Sequence, residues 1–281
     1  MTPLRQQMID AMTVRGFSPR THESYLNAVT QLATYYHRPP DQVSIKDINN
    51  WFLHLVKDNH LSAATCRQYL HGLRFLYLQV LQDSSFDVDI PLPRRPQRIP
   101  ELLTREEVAG IINACTQPKH KAMLQCAYGC GLRVSELVAI RLDQIDSERN
   151  LLRVEQGKGN KDRLVPIAPS LLNILRSYWR NQRPHPDSYL FPREHHLNQA
   201  LSISAIQKAY KKAKQAVPIN RVGGIHSLRH AYATHQLAAG LPIQQLQRQL
   251  GHRNLQSTLR YIHWVPIPTA QPGEQDLLAQ L

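Results

Sequence analysis

Apolar side chains in the first part of the chain recur at three- and four-residue steps. The clearest run extends from Tyr25 to Tyr36, and this spacing places its members on one face of an α-helix. Segments that begin at Ser44 and Ser62 show the same spacing, and Arg5 to Arg15 is polar but permissive for a helix. Four helices of such lengths fit a small bundle. Residues 1–85 are therefore predicted to form an all-helical domain.

Proline interrupts the helical pattern in residues 86–100. The four prolines of this segment exclude a helix and favour an extended tether. Its arginines have two interpretations, contact with phosphate groups or incidental charge on a solvated linker, and we favour the first. They are Arg94, Arg95 and Arg98.

The remainder of the chain, residues 101–281, mixes helical and strand-like patterns. Thr104 and Glu107 form a capping box at the start of a predicted helix. β-forming residues from Leu151 to Glu155 and from Arg163 to Ile167 flank a glycine-rich turn, which predicts a hairpin. Further helices are predicted at Lys121 to Tyr128, Leu171 to Trp179, Ser202 to Ala216, Ser227 to Ala239 and Ile243 to Leu250. The predicted fold class is mainly α: a helical bundle followed by an α+β domain with a small antiparallel sheet.

Charge indicates the class of partner. The chain carries 34 basic and 21 acidic residues, a net charge of +13. Most of the excess lies in residues 101–281, with 23 basic and 13 acidic side chains, whereas residues 1–85 hold 8 and 6. Such an excess favours a polyanion, because each neutralised phosphate releases counterions. Charge alone fits RNA, DNA or an anionic membrane surface, so it does not define the chemistry.

Other features exclude several classes of protein. The chain has no run of about 18 apolar residues that could span a membrane. Met1 to Asp10 lacks the apolar stretch and the cleavage site of a signal peptide. The cysteines lack the spacing of zinc ligands, and they predict buried, reduced thiols in a cytoplasmic protein. They are Cys66, Cys115, Cys126 and Cys130.

Five short segments carry residues that suit phosphate chemistry. They are Gly131 to Glu136, Gly157 to Gly159, His226 to His230, Leu250 to His252, and Tyr261. The first four supply arginine, lysine and histidine donors for a phosphate, and the tyrosine is a candidate nucleophile. A protein without a metal must itself supply the charge stabilisation that breaking a phosphodiester requires. The set therefore indicates breakage and rejoining of DNA.

Arginine suits the phosphate because its planar fork donates two hydrogen bonds and keeps its proton. Arg133, expected in the first turn of a helix, and Arg229 are the candidates. Glu136 lies on the same helical face as Arg133 and could steer it. His226, three residues before Arg229, could donate to a phosphate oxygen or relay a proton, and His252 is expected in a turn after a helix.

Several assignments have an ordinary alternative. Lys158 could protonate a departing oxygen or be a turn residue, and Lys161 and Arg163 compete with it for contacts to phosphate. His230 is interpreted as a packed, hydrogen-bonded histidine. Tyr261 is expected to be protonated at rest, because a phenol has an unperturbed pKa of about 10, and it could instead be a core tyrosine. The histidines lack a carboxylate or cysteine at ligand spacing, so no metal site is predicted.

Together these motifs resemble those of the tyrosine recombinase (lambda-integrase-like) family. The runs G-x-G-L-R-x-S-E, G-K-G-x-K-x-R, H-x-L-R-H, and L-G-H followed by T-x-x-Y occur in the family's order and cover both the middle and the end of the chain. The N-terminal part resembles the family's SAM-like core-binding domain. No arm-binding domain is seen ahead of it, so the architecture is similar to that of simple Xer-type or mobile-element integrases.

The resemblance implies a site-specific recombinase that needs no metal, ATP or other cofactor. Tyr261 would attack a scissile phosphate to form a 3′-phosphotyrosyl link, and Lys158 would protonate the leaving 5′-oxygen. The phosphate would be held by Arg133, Arg229, His226 and His252.

The resemblance also implies the partners. They would be double-stranded DNA with a specific recombination site and three further copies of the chain, assembled as a homotetramer on synapsed DNA. The free protein would be a monomer or weak oligomer, away from membranes and near the nucleoid of a bacterial cytoplasm. A segment at about Glu274 to Leu281 corresponds to the one that packs into a neighbouring protomer in the family, and its docking is left open.

Two other functions stay open at this point. One is a DNA-binding accessory protein of the same fold that lost turnover, and the other is a relaxing enzyme similar to type IB topoisomerases. The intact set of six candidate catalytic residues favours the recombinase. The sequence does not reveal the DNA site, nor separate integration from excision or dimer resolution.

Overall fold

The computed structural model describes residues 2–86, 102–155, 162–220, 222–262 and 264. Contacts between Cα atoms divide the chain into two compact units, residues 1–98 and 99–281. The predicted linker lies outside the described residues except for Phe86, so the proposed domain boundaries stay a prediction. Phe86 itself is fully buried and stacks on Tyr77 with ring centroids 4.4 Å apart. This residue therefore belongs to the core of the first unit and not to a tether.

The described part of the first unit is all-helical. Serine side chains begin three of its helices, because Ser18, Ser44 and Ser62 each accept a hydrogen bond from the amide three residues on. These starts confirm the predicted ones. The α-helices are α1 (Pro3–Val14), α2 (Pro19–Tyr36), α3 (Ile45–Lys57) and α4 (Ala63–Arg74).

The helix that begins after Ser62 changes its winding in its last part. Beyond α4 the backbone forms a π-helical segment, Phe75–Val80. The wider turn rotates successive side chains by a smaller angle than an α-helix does. Phe75 and the two residues after it are all buried as a result, so an unbroken apolar run can face the core.

The second unit is mixed. Its described helices are α5 (Arg105–Asn113), α6 (Pro118–Gly129), α7 (Val134–Val138), α8 (Pro169–Asn181), α9 (Ile203–Gln215), α10 (His226–Ala238), α11 (Ile243–Leu250) and α12 (Gln256–Ile262). A three-stranded antiparallel sheet has the order β1 (Ile145–Asp146), β2 (Leu151–Val154) and β3 (Arg163–Pro166). The predicted hairpin is β2–β3, with Leu152 opposite Val165. A second hairpin, β4 (Pro192–Arg193) and β5 (His196–Ala200), was not predicted.

The packing of α6 against α10 and of α11 against β3 positions the candidate site. The turn after α6, the first turn of α10 and the end of α11 meet at one place. A small cluster of buried side chains lies beneath this meeting point, formed by Tyr232, Ala233, Leu246, Leu250 and Tyr261. The fold class, mainly α with small antiparallel sheets, is confirmed. Among the described helices, none combines the length and the apolar character needed to cross a membrane.

Candidate active site

The turn between α6 and α7 presents Arg133. Gly131 in this turn has a φ of +59°, and a Cβ there would overlap the ring of Tyr232, so the turn requires glycine. The sequence had predicted Arg133 in the first turn of a helix. In the structure it is instead the N-cap residue of α7, one position before that turn. Its backbone N–H donates to Oε2 of Glu136 at 2.8 Å, and its Nη1 donates to Oε1 at 2.7 Å. Glu136 therefore fixes both the backbone and the guanidinium of Arg133.

Arg229 lies in the first turn of α10 and is 1% exposed. Its Nη1 donates to the Gly131 carbonyl at 2.8 Å, and its Nη2 donates to the Leu250 carbonyl at 2.6 Å. Nη1 also lies 3.8 Å from Oε2 of Glu136, the carboxylate that Arg133 contacts. Burial, with the charge of Arg133, lowers the pKa of Arg229 to about 10, so the group stays charged at neutral pH. The fold thus brings the two arginines to one carboxylate.

His252 extends the site from the turn after α11. Gly251 ends this helix in the left-handed region, with a φ of +62°, which confirms the predicted end. Nε2 of His252 lies 3.1 Å from Nη2 of Arg229, and Nδ1 lies 2.9 Å from Oγ1 of Thr258. Because a guanidinium only donates, Nε2 accepts and the ring proton is on Nδ1. Burial and the charge of Arg229 lower the pKa of His252 to about 4, so the ring is neutral at neutral pH.

Tyr261 lies near the end of α12 and is 4% exposed. Its hydroxyl is 3.0 Å from Nδ1 of His230. Its ring is parallel to that of His252, with centroids 6.2 Å apart, and nearly perpendicular to that of Trp264, with centroids 5.2 Å apart. Burial raises the pKa of Tyr261, whereas the charges of Arg229 and its neighbours act in the opposite direction. The phenol is therefore protonated at rest and lies beside the cations that could stabilise its anion.

The two histidines at the start of α10 have different surroundings. His226 is exposed, and its ring meets that of His230 edge-on with centroids 4.6 Å apart. Partial desolvation and the charge of Arg229 lower the pKa of His226. Burial, with His226 and Arg229 nearby, lowers the pKa of His230 to about 4. His230 is thus a neutral imidazole that touches the candidate nucleophile itself, a closer role than the packed histidine expected from the sequence.

The sequence predicted that Arg163 contacts DNA, but in the structure its side chain is buried against Glu136. Its Nη1 and Nη2 each donate to an oxygen of Glu136 at 2.8 Å, and its side chain is 9% exposed. Burial alone would raise the pKa of Glu136, but the hydrogen bonds and charge of Arg163, with the hydrogen bonds of Arg133, lower it to about 2. The guanidinium of Arg163 is therefore committed to a buried carboxylate and does not face solvent.

Several predicted residues lie outside the described part of the chain. They are Lys158, Lys161, Arg94, Arg95 and Arg98, and their roles stay predictions. Within the described residues, no group of three or more His, Cys, Asp or Glu side chains is arranged to hold a metal ion. All four cysteines are free and buried, which confirms buried, unpaired thiols.

Sequence reasoning missed two neighbours of the site. Thr258 is fully buried, and its Oγ1 accepts a hydrogen bond from the Nδ1–H of His252. Its position three residues before Tyr261 could have placed it on the same helical face. Trp264 packs edge-on against both Tyr261 and His230. No motif pointed to Trp264, because its role depends on the backbone turning after α12.

The assembled groups suit one kind of reaction. Two guanidinium groups can neutralise the charge that develops on a phosphate, and the exposed imidazole of His226 can donate a hydrogen bond to it. A protonated phenol next to a neutral imidazole can become a nucleophile by giving up its proton. Such an arrangement can serve nucleophilic phosphoryl transfer.

Comparison with known proteins agrees with this geometry. The phage integrase family matches residues 101–266, and the phage integrase N-terminal SAM-like domain matches residues 4–86. The Sinorhizobium fredii protein y4qK, named as an integrase/recombinase, is 38% identical over 263 residues, which cover 93% of this chain and 84% of that protein. The tyrosine recombinase XerD of Pseudomonas putida is 29% identical over 280 residues, which cover 93% of this chain and 92% of XerD.

A solved structure shares the fold. The XerH site-specific recombinase, bound to palindromic difH substrate in a post-cleavage complex, superposes with a TM-score of 0.72 over 91% of this chain and 80% of XerH. Its sequence identity of 18% limits the likeness to the fold. The fold, the site and these relatives together define an enzyme of the tyrosine recombinase class, which transfers DNA strands. The chain belongs to the phage integrase family.

Proposed function

We propose that this enzyme is a site-specific recombinase that cuts and rejoins duplex DNA through a 3′-phosphotyrosyl intermediate on Tyr261. The observation that carries the proposal is the position of the Tyr261 hydroxyl, 3.0 Å from a neutral His230 and within the field of Arg133 and Arg229 of the same chain. A nucleophile, a proton acceptor and the cations for a phosphate thus come from a single protomer.

The first step is attack of the Tyr261 oxygen on the scissile phosphorus. His230, with its ring proton on Nε2, accepts the phenolic proton at Nδ1. The oxygen–phosphorus bond forms as the bond to the 5′-oxygen breaks, and Lys158 protonates the departing 5′-oxygen. Arg133, Arg229 and His226 hold the non-bridging oxygens, and His252 positions the guanidinium of Arg229 through its Nε2. The phosphate is thereby carried from one ester to another.

Rejoining is the reverse step with a different strand. A 5′-hydroxyl attacks the phosphotyrosine and gives its proton to Lys158. The bond from phosphorus to the tyrosine oxygen breaks, and that oxygen takes back its proton from His230. Because the tyrosyl ester keeps the energy of the phosphodiester, the reaction needs no ATP. We propose that it needs no metal ion either. The charge stabilisation that a metal would give is supplied by the two fixed guanidinium groups.

The substrate we propose is a duplex with a specific recombination site. The net charge of +10 in residues 101–281 supplies attraction to its backbone, and Lys161 with the linker arginines Arg94, Arg95 and Arg98 adds contacts to phosphates. Four protomers assemble on two such sites, and the free protein is a monomer or weak oligomer. Its place in the cell is the bacterial cytoplasm at the nucleoid, where its substrate is found.

The decisive experiment traps the intermediate. A duplex recovered from a random-sequence pool by selection with the wild-type protein is nicked next to the scissile bond, so that the freed 5′-hydroxyl fragment diffuses away. Wild-type protein is expected to form an SDS-stable protein–DNA adduct, with full yield in excess chelator. Tyr261→Phe should form none while it still binds the duplex. An adduct that persists in this variant, or a strict requirement for magnesium, would overturn the proposal.

Tyr178 provides the matched control. It is a buried tyrosine of the same unit, and its hydroxyl has no hydrogen-bond partner within the described residues. Tyr178→Phe should therefore form the adduct at the wild-type rate. Wild-type protein that binds the duplex without an adduct would indicate a DNA-binding accessory protein. Relaxation of supercoiled plasmids without regard to sequence would indicate chemistry similar to a type IB topoisomerase.

A further inference from the structure

The carboxyl end of α11 holds three guanidinium groups. Its three final carbonyls lack partners within the helix and carry the negative end of the helix dipole. Each accepts from a different arginine: Gln249 from Nε of Arg163 at 2.7 Å, Leu250 from Nη2 of Arg229 at 2.6 Å, and Gly251 from Nη2 of Arg133 at 3.2 Å. Two of these arginines have a role in the proposed reaction, and the third does not.

Each of the three guanidinium nitrogens of Arg163 donates a hydrogen bond. Its two terminal nitrogens donate to Glu136 and its Nε donates to the Gln249 carbonyl. These contacts join β3, the start of α7 and the end of α11, which are distant in sequence. Arg163 is therefore a cross-link between the strand of the hairpin and the two segments that carry Arg133 and His252.

Gly251 gives independent support for this cross-link. A Cβ at this position would lie 2.8 Å from Cδ of Arg163, so the backbone after α11 approaches the arginine more closely than any other residue type permits. The φ of +62° also favours glycine. The turn that presents His252 is thus shaped around the side chain of Arg163.

Glu136 shows what Arg163 prevents. The side chain of Glu136 is 5% exposed, and its other cations are Nη1 of Arg133 at 2.7 Å and Nη1 of Arg229 at 3.8 Å. A buried carboxylate that lost Arg163 would be short of positive charge and would draw more strongly on these two groups. The same two groups must keep N–H donors available to the phosphate for the reaction to proceed.

We propose that Arg163 is a positioning residue, which occupies both oxygens of Glu136 and the Gln249 carbonyl and so leaves Arg133 and Arg229 available to the phosphate. The inference rests on the proposed function, since it assigns a role in that reaction. Arg163 itself does not touch the reacting atoms.

The test separates binding from cleavage with the selected nicked duplex. Arg163→Met should bind the duplex as the wild type does, yet form the covalent adduct about 100-fold more slowly at saturating protein, the loss expected when catalytic groups are displaced by about 1 Å. Adding Glu136→Gln removes the competing charge while keeping an oxygen for the Arg133 amide. The double variant should therefore cleave at least about tenfold faster than Arg163→Met alone, a coupling that a double-mutant cycle measures.

Arg153→Met is the matched control. Arg153 lies on the neighbouring strand β2 and pairs with Glu155 at 2.9 Å, but both side chains are substantially exposed. This variant should cleave at the wild-type rate. Thermal melting of every variant shows which fraction is folded at the temperature of the assay.

Each outcome decides the proposal. It is overturned if Arg163→Met cleaves within about threefold of the wild type, or if Glu136→Gln leaves a slow Arg163→Met equally slow. If Arg163→Met does not fold, Arg163→Lys decides, because lysine keeps the charge but cannot make the three contacts; wild-type cleavage in Arg163→Lys would overturn the proposal, and slow cleavage that Glu136→Gln speeds up would support it. Absence of an adduct with wild-type protein would instead count against the proposed function.

Discussion

The two sides of the candidate active site are held by different kinds of contact. One side, the arginine half, consists of Arg133, Glu136, Arg163 and Arg229. The other side, the tyrosine half, consists of His230, Tyr261 and Trp264. Ion pairs and hydrogen bonds to backbone carbonyls join the members of the arginine half. One neutral hydrogen bond and edge-on ring contacts join the members of the tyrosine half.

This difference separates what is fixed from what can move. Hydrogen bonds to charged groups are roughly twice as strong as neutral ones, and the anchors of the arginine half are backbone carbonyls of two elements. The cations are therefore in place before a phosphate arrives, as electrostatic catalysis requires. The nucleophile is held by weaker contacts and can shift without breaking an ion pair. Damage to the arginine half should cost stability and chemistry together, whereas damage to the tyrosine half should cost chemistry with a smaller loss of stability.

The largest effect is expected from Glu136→Ala. It leaves the buried guanidinium of Arg163 without its carboxylate, and breaking a buried pair typically costs roughly 3–5 kcal/mol of unfolding free energy. Tyr261→Phe removes one neutral hydrogen bond and should cost only about 1 kcal/mol. Urea unfolding of both variants measures the difference. Equal and small losses would show that the arginine half does not stabilise the fold.

Arg133→Lys should affect chemistry most among the conservative changes. Lysine keeps the charge but cannot serve the phosphate, Glu136 and the Gly251 carbonyl with one planar fork. Cleavage of the nicked duplex should fall by about 10²–10³-fold, the loss that follows removal of one transition-state donor, while duplex binding is retained. Unchanged cleavage would remove Arg133 from the site.

Gly131→Ala tests the turn that delivers Arg133. A Cβ at this position would overlap the buried ring of Tyr232, and the φ is positive. We expect a loss of about 1–3 kcal/mol of unfolding free energy, as for other overpacked cores. Gly224→Ala is the control, since a Cβ there meets no atom within 4 Å. Equal stability of the two variants would contradict the close approach.

Trp264→Ala tests the opposite half. It removes the ring that packs perpendicular to those of Tyr261 and His230 while leaving every ion pair of the arginine half in place. Cleavage should slow by about tenfold, less than the roughly 100-fold that a displacement of 1 Å can cost. Because Trp264 is only half-buried, its loss should lower the melting temperature less than Glu136→Ala does. A large loss of stability with normal cleavage would show that Trp264 supports the fold and not the chemistry.

The smallest expected effect is a dependence of stability on pH that is caused by the half-buried histidines His230 and His252. The fold lowers the pKa of His230 and His252 from 6.5 to about 4, so the unfolded chain binds more protons between these values and stability falls as the pH is lowered through them. Glu136 behaves differently. Its pKa is lowered from 4.5 to about 2, so its contribution is complete above pH 4.5 and is lost only as the pH falls towards 2.

Urea unfolding at pH 7 and pH 5 measures this dependence. The wild type should be less stable at pH 5, and a His230→Gln and His252→Gln double variant should lose less stability over the same interval. An identical loss in the two proteins would show that neither histidine is held neutral by the fold.

Local patterns in the sequence predicted the elements with strong signals. The serine caps of α2, α3 and α4, the capping box of α5 and the hairpin β2–β3 follow from residues that are adjacent along the chain. The short pairs β1–β2 and β4–β5 escaped prediction, because a strand of two residues has no periodicity to read. The π-helical segment after α4 also escaped, since its apolar run fits an α-helix equally well.

The site was predicted as a set of residues and not as an arrangement. The sequence named Arg133, Arg229, His226, His252 and Tyr261, and the fold brings them together. The sequence could not reveal that the side chain of Arg163 points inward to Glu136, because this contact depends on how β3 packs against α11. Sequence spacing gives the face of one helix, whereas such a contact joins three elements.

The central claim is that Tyr261 becomes a 3′-phosphotyrosyl ester, and mass spectrometry of the trapped adduct tests it most directly. Tyr261 follows Arg260, and no other tyrosine, lysine or arginine occurs after it, so trypsin places the nucleophile in one distinct peptide of the chain. We predict that this peptide carries a nucleotide on Tyr261, and that the attached strand retains its free 5′ end. A nucleotide on any other residue, or a strand attached through its 5′ end, would contradict the account.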